Sequence, residues 1–300
     1  MYKFILIALI SVSFFACEKE VTDIKLPNAK PKLVLGCFLS SSDSLILVTV
    51  TKSVAIFSKG GSIDDYAVEN ASVTISNGTN VATLVFNSTT GNYQIETKFF
   101  PLIAGAEYTV SAKAQGYDDV SGKGVIPVSK ISNGSAIIKA GQYGETDIRV
   151  NWMDIANEKN YYRIRVQYIA VKDSNALSSL KDTVYVYSID SYIKTTFTDE
   201  GKDGQELSAQ LDYFLGLGNN IYPYGFPSGN SPMSNKRYKI IGYLIEVLNV
   251  DYNYYQFQNS LYNFMSKGGD PFSEPSFVFT NVDKGLGVVG GYTRYSFIRN

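Results

Sequence analysis

Tyr108-Thr109-Val110-Ser111-Ala112-Lys113 alternates apolar and polar side chains without a break. Successive side chains of a strand point to opposite faces, so a period of two turns Tyr108, Val110 and Ala112 toward a core and their neighbours toward water. The rhythm extends upstream through the apolar runs Leu33 to Leu39, Leu45 to Thr51, Ala71 to Ile75, Val81 to Phe86, Tyr93 to Glu96 and Glu107 to Ala112, with turn signals between them. Short runs at this spacing predict an antiparallel sandwich. Asn77-Gly78 between two of them predicts a type I′ hairpin, with φ positive at both central residues. Cys37 shares a face with Leu35 and Leu39 and reads as a buried, unpaired thiol.

Downstream, Asp147 to Trp152 and Tyr161 to Tyr168 read as adjacent strands, with Tyr162, Ile164, Val166 and Tyr168 on one face and Arg163, Arg165 and Gln167 on the other. Thr183 to Ile189 is strand-like, and Arg237 to Val250 is a further strand. Asp251 then reads as an N-cap, and Tyr254, Phe257, Leu261, Phe264 and Met265 follow at helical spacing until Gly268-Gly269. The expected fold is therefore mostly β, in two sandwich-like domains over residues 31–127 and 130–300, with one helix near 251–267 inserted in the second. The segment Asn70 to Gly116 resembles transthyretin-like and immunoglobulin-like modules, and the strands around Trp152 look like those of a fibronectin-type sandwich. Trp152, within a strand pattern, reads as core rather than as a sugar-stacking platform.

Composition narrows the chemistry. Lys plus Arg number 27 and Asp plus Glu 28, a net charge of -1 without a dense basic run, which predicts no nucleic-acid partner. The chain contains no histidine, which excludes His-dependent triads and His-based zinc sites, and two cysteines are too few for a thiolate cage. No catalytic residue, metal or cofactor is predicted. Gly285-Leu286-Gly287-Val288-Val289-Gly290 has the letters of a dinucleotide fingerprint, yet only 10 residues follow it, so it reads as a glycine-rich turn and bulge entering the last strand. Asp199-Glu200-Gly201-Lys202-Asp203-Gly204 resembles the start of a calcium loop. Gly201 stands at its third position and Gln210 at its twelfth, so a tight polar turn is expected instead.

The amino terminus carries the clearest address. Lys3 precedes an apolar run from Phe4 to Phe15, the length of a signal-peptide core and shorter than the roughly 20 residues of a bilayer span. The run stops at Phe14-Phe15-Ala16-Cys17, which resembles a lipobox. Residues 1–16 are thus expected to be a signal peptide, and residues 17–30 an acylated Cys17 with its tether. Glu18-Lys19-Glu20 looks like the signal by which Bacteroidota export lipoproteins to the outer face of the outer membrane, and Pro27 and Pro31 stiffen an extended spacer.

Gly216 to Ser231 is rich in Gly, Asn and Pro, and Tyr222, Tyr224 and Phe226 within it form the expected exposed aromatic patch for ligand contact. Trp152-Met153-Asp154, Asn160-Tyr161-Tyr162-Arg163, the Tyr-rich helix, Asp270-Pro271-Phe272-Ser273-Glu274-Pro275 and Thr280-Asn281-Val282 together resemble a Bacteroidota lipoprotein family catalogued as a domain of unknown function, 4249 in that series. The resemblance spans nearly the whole chain after Cys17 and implies a two-domain β protein at the cell surface, often beside outer-membrane transport genes. The expected function is a non-catalytic surface lipoprotein that binds or scaffolds, as accessory to an outer-membrane nutrient transporter. The alternatives are a carbohydrate-binding lipoprotein and, behind it, a His-independent hydrolase built on facing carboxylates.

Overall fold

The structure, a computed structural model, describes residues 30–54, 66–140, 145–172, 183–187, 193–214, 238–267 and 276–299. The signal peptide, Cys17, the tether up to residue 29 and the Tyr222, Tyr224 and Phe226 patch lie outside the described residues. The fold is mostly β. In chain order the strands are β1 Leu33–Leu39, β2 Leu45–Lys52, β3 Ser72–Ser76, β4 Val81–Asn87, β5 Asn92–Glu96, β6 Glu107–Lys113, β7 Val120–Val125 and β8 Gly134–Ala140. They continue with β9 Glu145–Met153, β10 Tyr161–Lys172, β11 Thr183–Tyr187, β12 Thr196–Thr198, β13 Glu206–Phe214 and β14 Tyr238–Val250. The helix α1, Tyr252–Lys267, comes next, and β15 Val282–Asp283 and β16 Leu286–Arg299 close the chain.

One large curled sheet runs β11-β10-β14-β16-β1-β2-β5-β4-β3-β6-β7-β15, with β12 beside β10, and β13-β9-β8 forms a separate small sheet. Alternation fills the space inside the curl: Leu35 and Leu39 of β1 and Val48 of β2 meet Val73 of β3 and Tyr108 and Val110 of β6. The small sheet covers the other end of the large one, where Ile148, Val150 and Trp152 of β9 meet Tyr162 and Ile164 of β10 and Ile245 of β14. Each such side chain taken out of water contributes about 1.5–3 kcal/mol. Cys37 is buried and free, and burial pushes its thiol pKa up to about 12, which keeps it inert.

Strand β16 belongs to both apolar clusters. Its first half pairs parallel with β1, from Val34↔Leu286 to Leu39↔Gly291, and its second half pairs antiparallel with β14, from Val250↔Tyr292 to Tyr243↔Arg299. The glycine-rich entry to this strand lets it cross β7 at close range. Gly287 has φ 108°, and a Cβ there would be driven into the Leu35 carbonyl oxygen, while one on Gly124 of β7 would lie 2.9 Å from the backbone of Gly290. Asn281 stitches the same crossing: its amide nitrogen donates to Lys123 O (2.7 Å) and Val289 O (2.8 Å), and its oxygen accepts from Val289 N (2.9 Å).

On the polar face of β10, the ion pair Arg165–Glu246 (2.9 Å) continues through Arg294, which reaches Glu246 (3.3 Å) and Asp43 (2.9 Å) and so ties the β1–β2 turn to β14 and β16. The β3–β4 connection corrects the expected type I′ turn. Only Gly78 there takes a positive φ (87°), and the Asn77 side chain accepts from Thr79 N (3.1 Å) and Asn80 N (2.8 Å), an Asx-type turn in a longer loop.

Replacing Gly287 with Ala forces a side chain into a strained φ and into the Leu35 carbonyl at once. Thermal denaturation of Gly287→Ala is expected to show a loss of about 3 kcal/mol, against about 1 kcal/mol for Gly78→Ala, whose added methyl group meets open space. Equal losses at the two sites would refute a close approach of β16 to Leu35 of β1 at Gly287.

Candidate functional site

Two loops and the first turn of α1 enclose an open cleft of about 730 Å³. Asn157, Glu158 and Lys159 come from the β9–β10 loop, Tyr161 from the start of β10, Thr198, Asp199, Glu200, Gly201 and Asp203 from the end of β12 and the loop after it, and Tyr252, Tyr255 and Gln256 from α1. The three tyrosine rings form one cluster, with Tyr161 at 5.5 Å from Tyr252 and 4.9 Å from Tyr255 between centroids. Lys159 Nζ stands 5.5 Å over the Tyr161 ring. Around these rings the lining carries Glu158, Asp199, Glu200 and Asp203, with Lys159 the only cation among the described lining residues.

The loops hold their shape through three aspartates. Asp154 accepts from the Tyr162 hydroxyl (2.6 Å) and Gly204 N (2.7 Å), Asp199 from Asn160 N (2.9 Å) and Asp203 from Asn157 N (2.8 Å). The β9–β10 loop is thereby fastened to the β12–β13 loop, and Lys202 N to Asp199 O (2.7 Å) closes the tight polar turn that the residues predict. Oxygens of Asp154, Asp199 and Asp203 all lie within 4.8 Å of one another, close enough to share one divalent cation. Their bonds to backbone amides and to Tyr162 account for their positions without one.

Asp251 holds the helix that brings Tyr252 and Tyr255 to the cleft. Its backbone N–H donates to Gly291 O (2.9 Å), extending the β14–β16 ladder. One carboxylate oxygen caps α1 by accepting from Tyr254 N (2.8 Å), and the other accepts from Val125 N of β7 (2.9 Å). Below the cap, Tyr254 is buried against Phe38 at 4.1 Å, and its hydroxyl accepts from Arg163 Nη1 (2.8 Å). Further along the helix Phe264 is exposed, so the apolar spacing overstates how far α1 is covered.

The structure brings together residues that the sequence does not single out as a site. Tyr161 reads as a strand residue, and the pair Tyr252 and Tyr255, one turn apart, is the signal that marks a second face of the helix. Trp152 is core, edge-on to Tyr162 at 5.5 Å and Phe197 at 5.9 Å.

Burial raises the Asp251 carboxyl from its ordinary 3.8 to about 6, while its backbone donors pull it back down. A carboxyl with a folded pKa above its unfolded value contributes stability that is fully present below about 3.8 and is lost as pH rises through about 6. Urea midpoints are therefore expected to give wild type an advantage over Asp251→Asn that narrows by on the order of 2 kcal/mol between pH 4 and pH 7. A gap constant with pH would contradict the buried cap.

Residues 19–298 match the family described as "Domain of unknown function (DUF4249)". The search of curated proteins gave no match.

Proposed function

The chain belongs to the DUF4249 family, and on that premise we propose that it is a non-catalytic lipoprotein, held at the outer-membrane surface by acylated Cys17, that binds a ligand in the Tyr161–Tyr252–Tyr255 cleft. The observation that carries this reading is the cleft itself: three clustered rings in an open concavity, beside Asp199 and Asp203, each of which accepts from a backbone amide of the facing loop. Aromatic faces and fixed polar groups orient a ligand, and concavities of this size accommodate small molecules. A hydrolase would need two carboxylates facing each other across a substrate path, free to exchange protons. Asp154, Asp199 and Asp203 instead sit side by side as loop clasps.

The address rests on Lys3, the apolar run from Phe4 to Phe15 and the cysteine that ends it. No described helix is long and apolar enough to cross a membrane. The role is accessory: the protein presents its ligand to, or scaffolds, an outer-membrane nutrient transporter. Carbohydrate binding is the second reading, favoured by Tyr252, which is 51% exposed and able to stack on a sugar face.

Fractionation of cells making Cys17→Ser is expected to move the protein out of the membrane pellet, and mass spectrometry of the wild-type protein to show acyl mass on Cys17. An unacylated protein with an amino terminus elsewhere would remove the anchoring.

A further inference from the structure

The chemistry of the cleft names a class of ligand. Its walls carry Glu158, Asp199, Glu200 and Asp203 against Lys159, an excess of negative charge concentrated on one concavity in a chain whose formal net charge is only -1. The faces of Tyr161, Tyr252 and Tyr255 add the negative side of three ring quadrupoles. The N-terminus of α1 opposes this with a positive partial charge, which the Asp251 carboxylate seated on it offsets.

One ammonium is already drawn to the site. Lys159, an exposed side chain, places its Nζ 5.5 Å from the centroid of the Tyr161 ring. The Tyr161 hydroxyl, then the Asp199 and Glu200 carboxylates, hold that ammonium above its usual range. The lysine comes from the loop that forms one wall of the cleft, so it acts as an internal stand-in for what the cleft would take from solution.

We infer that the cleft binds a small organic cation, its ammonium seated on the Tyr161, Tyr252 and Tyr255 faces and neutralised by Glu158 and Glu200, with Lys159 as the built-in competitor that the ligand displaces. This rests on the cleft being the binding site proposed above. A neutral sugar would use the same rings and leave the carboxylates' charge unanswered. An organic anion would be repelled.

The test is calorimetric titration of the full chain in detergent micelles with spermidine, tetramethylammonium and the neutral oligosaccharide cellohexaose. The cations are expected to bind saturably and more weakly as salt is raised. Tyr255→Leu, which keeps an apolar side chain but removes a ring face, is expected to weaken them about fivefold or more. Glu200→Gln, an exposed change, is expected to weaken them about two- to fivefold. The distinguishing variant is Lys159→Gln. Removing an exposed competitor tightens an external cation about two- to fivefold, an outcome that no structural role of Lys159 produces. A melting temperature unchanged from wild type secures each comparison.

Saturable cellohexaose binding that Tyr255→Leu abolishes, with no cation binding, would overturn the cationic ligand and leave the cleft as a binding site. Cation binding left unchanged or weakened by Lys159→Gln would overturn the competitor. Absence of binding by every probe would count against both the cation and the cleft.

Discussion

The double pairing of β16 is the constraint on which the rest of the molecule depends. One strand hydrogen-bonds β1 in parallel through its first half and β14 antiparallel through its second, so the curl around Tyr108 and the layer around Trp152 share a backbone. Parallel pairing of β1 with β16 needs the two strands to arrive from the same direction. The tight β15–β16 corner achieves this, with β15 on β7 and Lys284 in the left-handed region (φ 56°). Glycine at Gly287, Gly290 and Gly291 is then required by close approaches to Leu35 of β1, to Asp251 and Tyr254 at the start of α1, and to Val125 and Ile126. A side chain would press β16 against β1 at Gly287, against the start of α1 at Gly290 and against Val125 and Ile126 at Gly291.

The cleft inherits its rigidity from that crossing. Asp251 follows β14 directly, and its three backbone bonds fix the start of α1 on β7 and β16. Tyr252 and Tyr255 therefore face Tyr161 because the helix can start in only one orientation. On the opposite wall, loop residues with no regular structure are fastened by carboxylate-to-amide bonds, which are stronger than neutral ones. The carboxylates thus serve two ends at once: their hydrogen bonds set the loop geometry, and their charge colours the concavity.

Much of the fold was legible from alternation alone. The burial of β1, alternating along all seven residues, and that of β6 follow the apolar spacing residue by residue, and the cap and length of α1 follow from Asp251 and the spacing of Tyr254 and Phe257. Strand β7 escaped because its inward positions include Gly122 and Gly124, whose missing side chains erase the apolar half of the pattern while making room for β16. Strand β13 does alternate, with Leu207, Ala209 and Leu211 buried, but lies in a stretch where polar and glycine residues dominate. The cleft was illegible for a different reason. Asp154, Asp199 and Tyr255 are far apart in sequence, and only the pairing of β9 with β13 and of β10 with β12 brings their loops to one end of the molecule. A turn read as a failed calcium loop from Asp199 to Gly204 was local evidence; its partner Asp154 was not.

The register of β1 with β16 also governs the order in which the molecule can be built. Leu33–Leu39 emerges early in synthesis, yet the strand that completes its pairing is Leu286–Arg299, so the first sheet waits for nearly the whole chain with one row of amides and carbonyls unclaimed. Contacts between such distant segments make closure slow, because the entropy of a long loop must be lost before any of its contacts forms. Until β16 arrives, β1 presents an unpaired edge that a foreign strand could join.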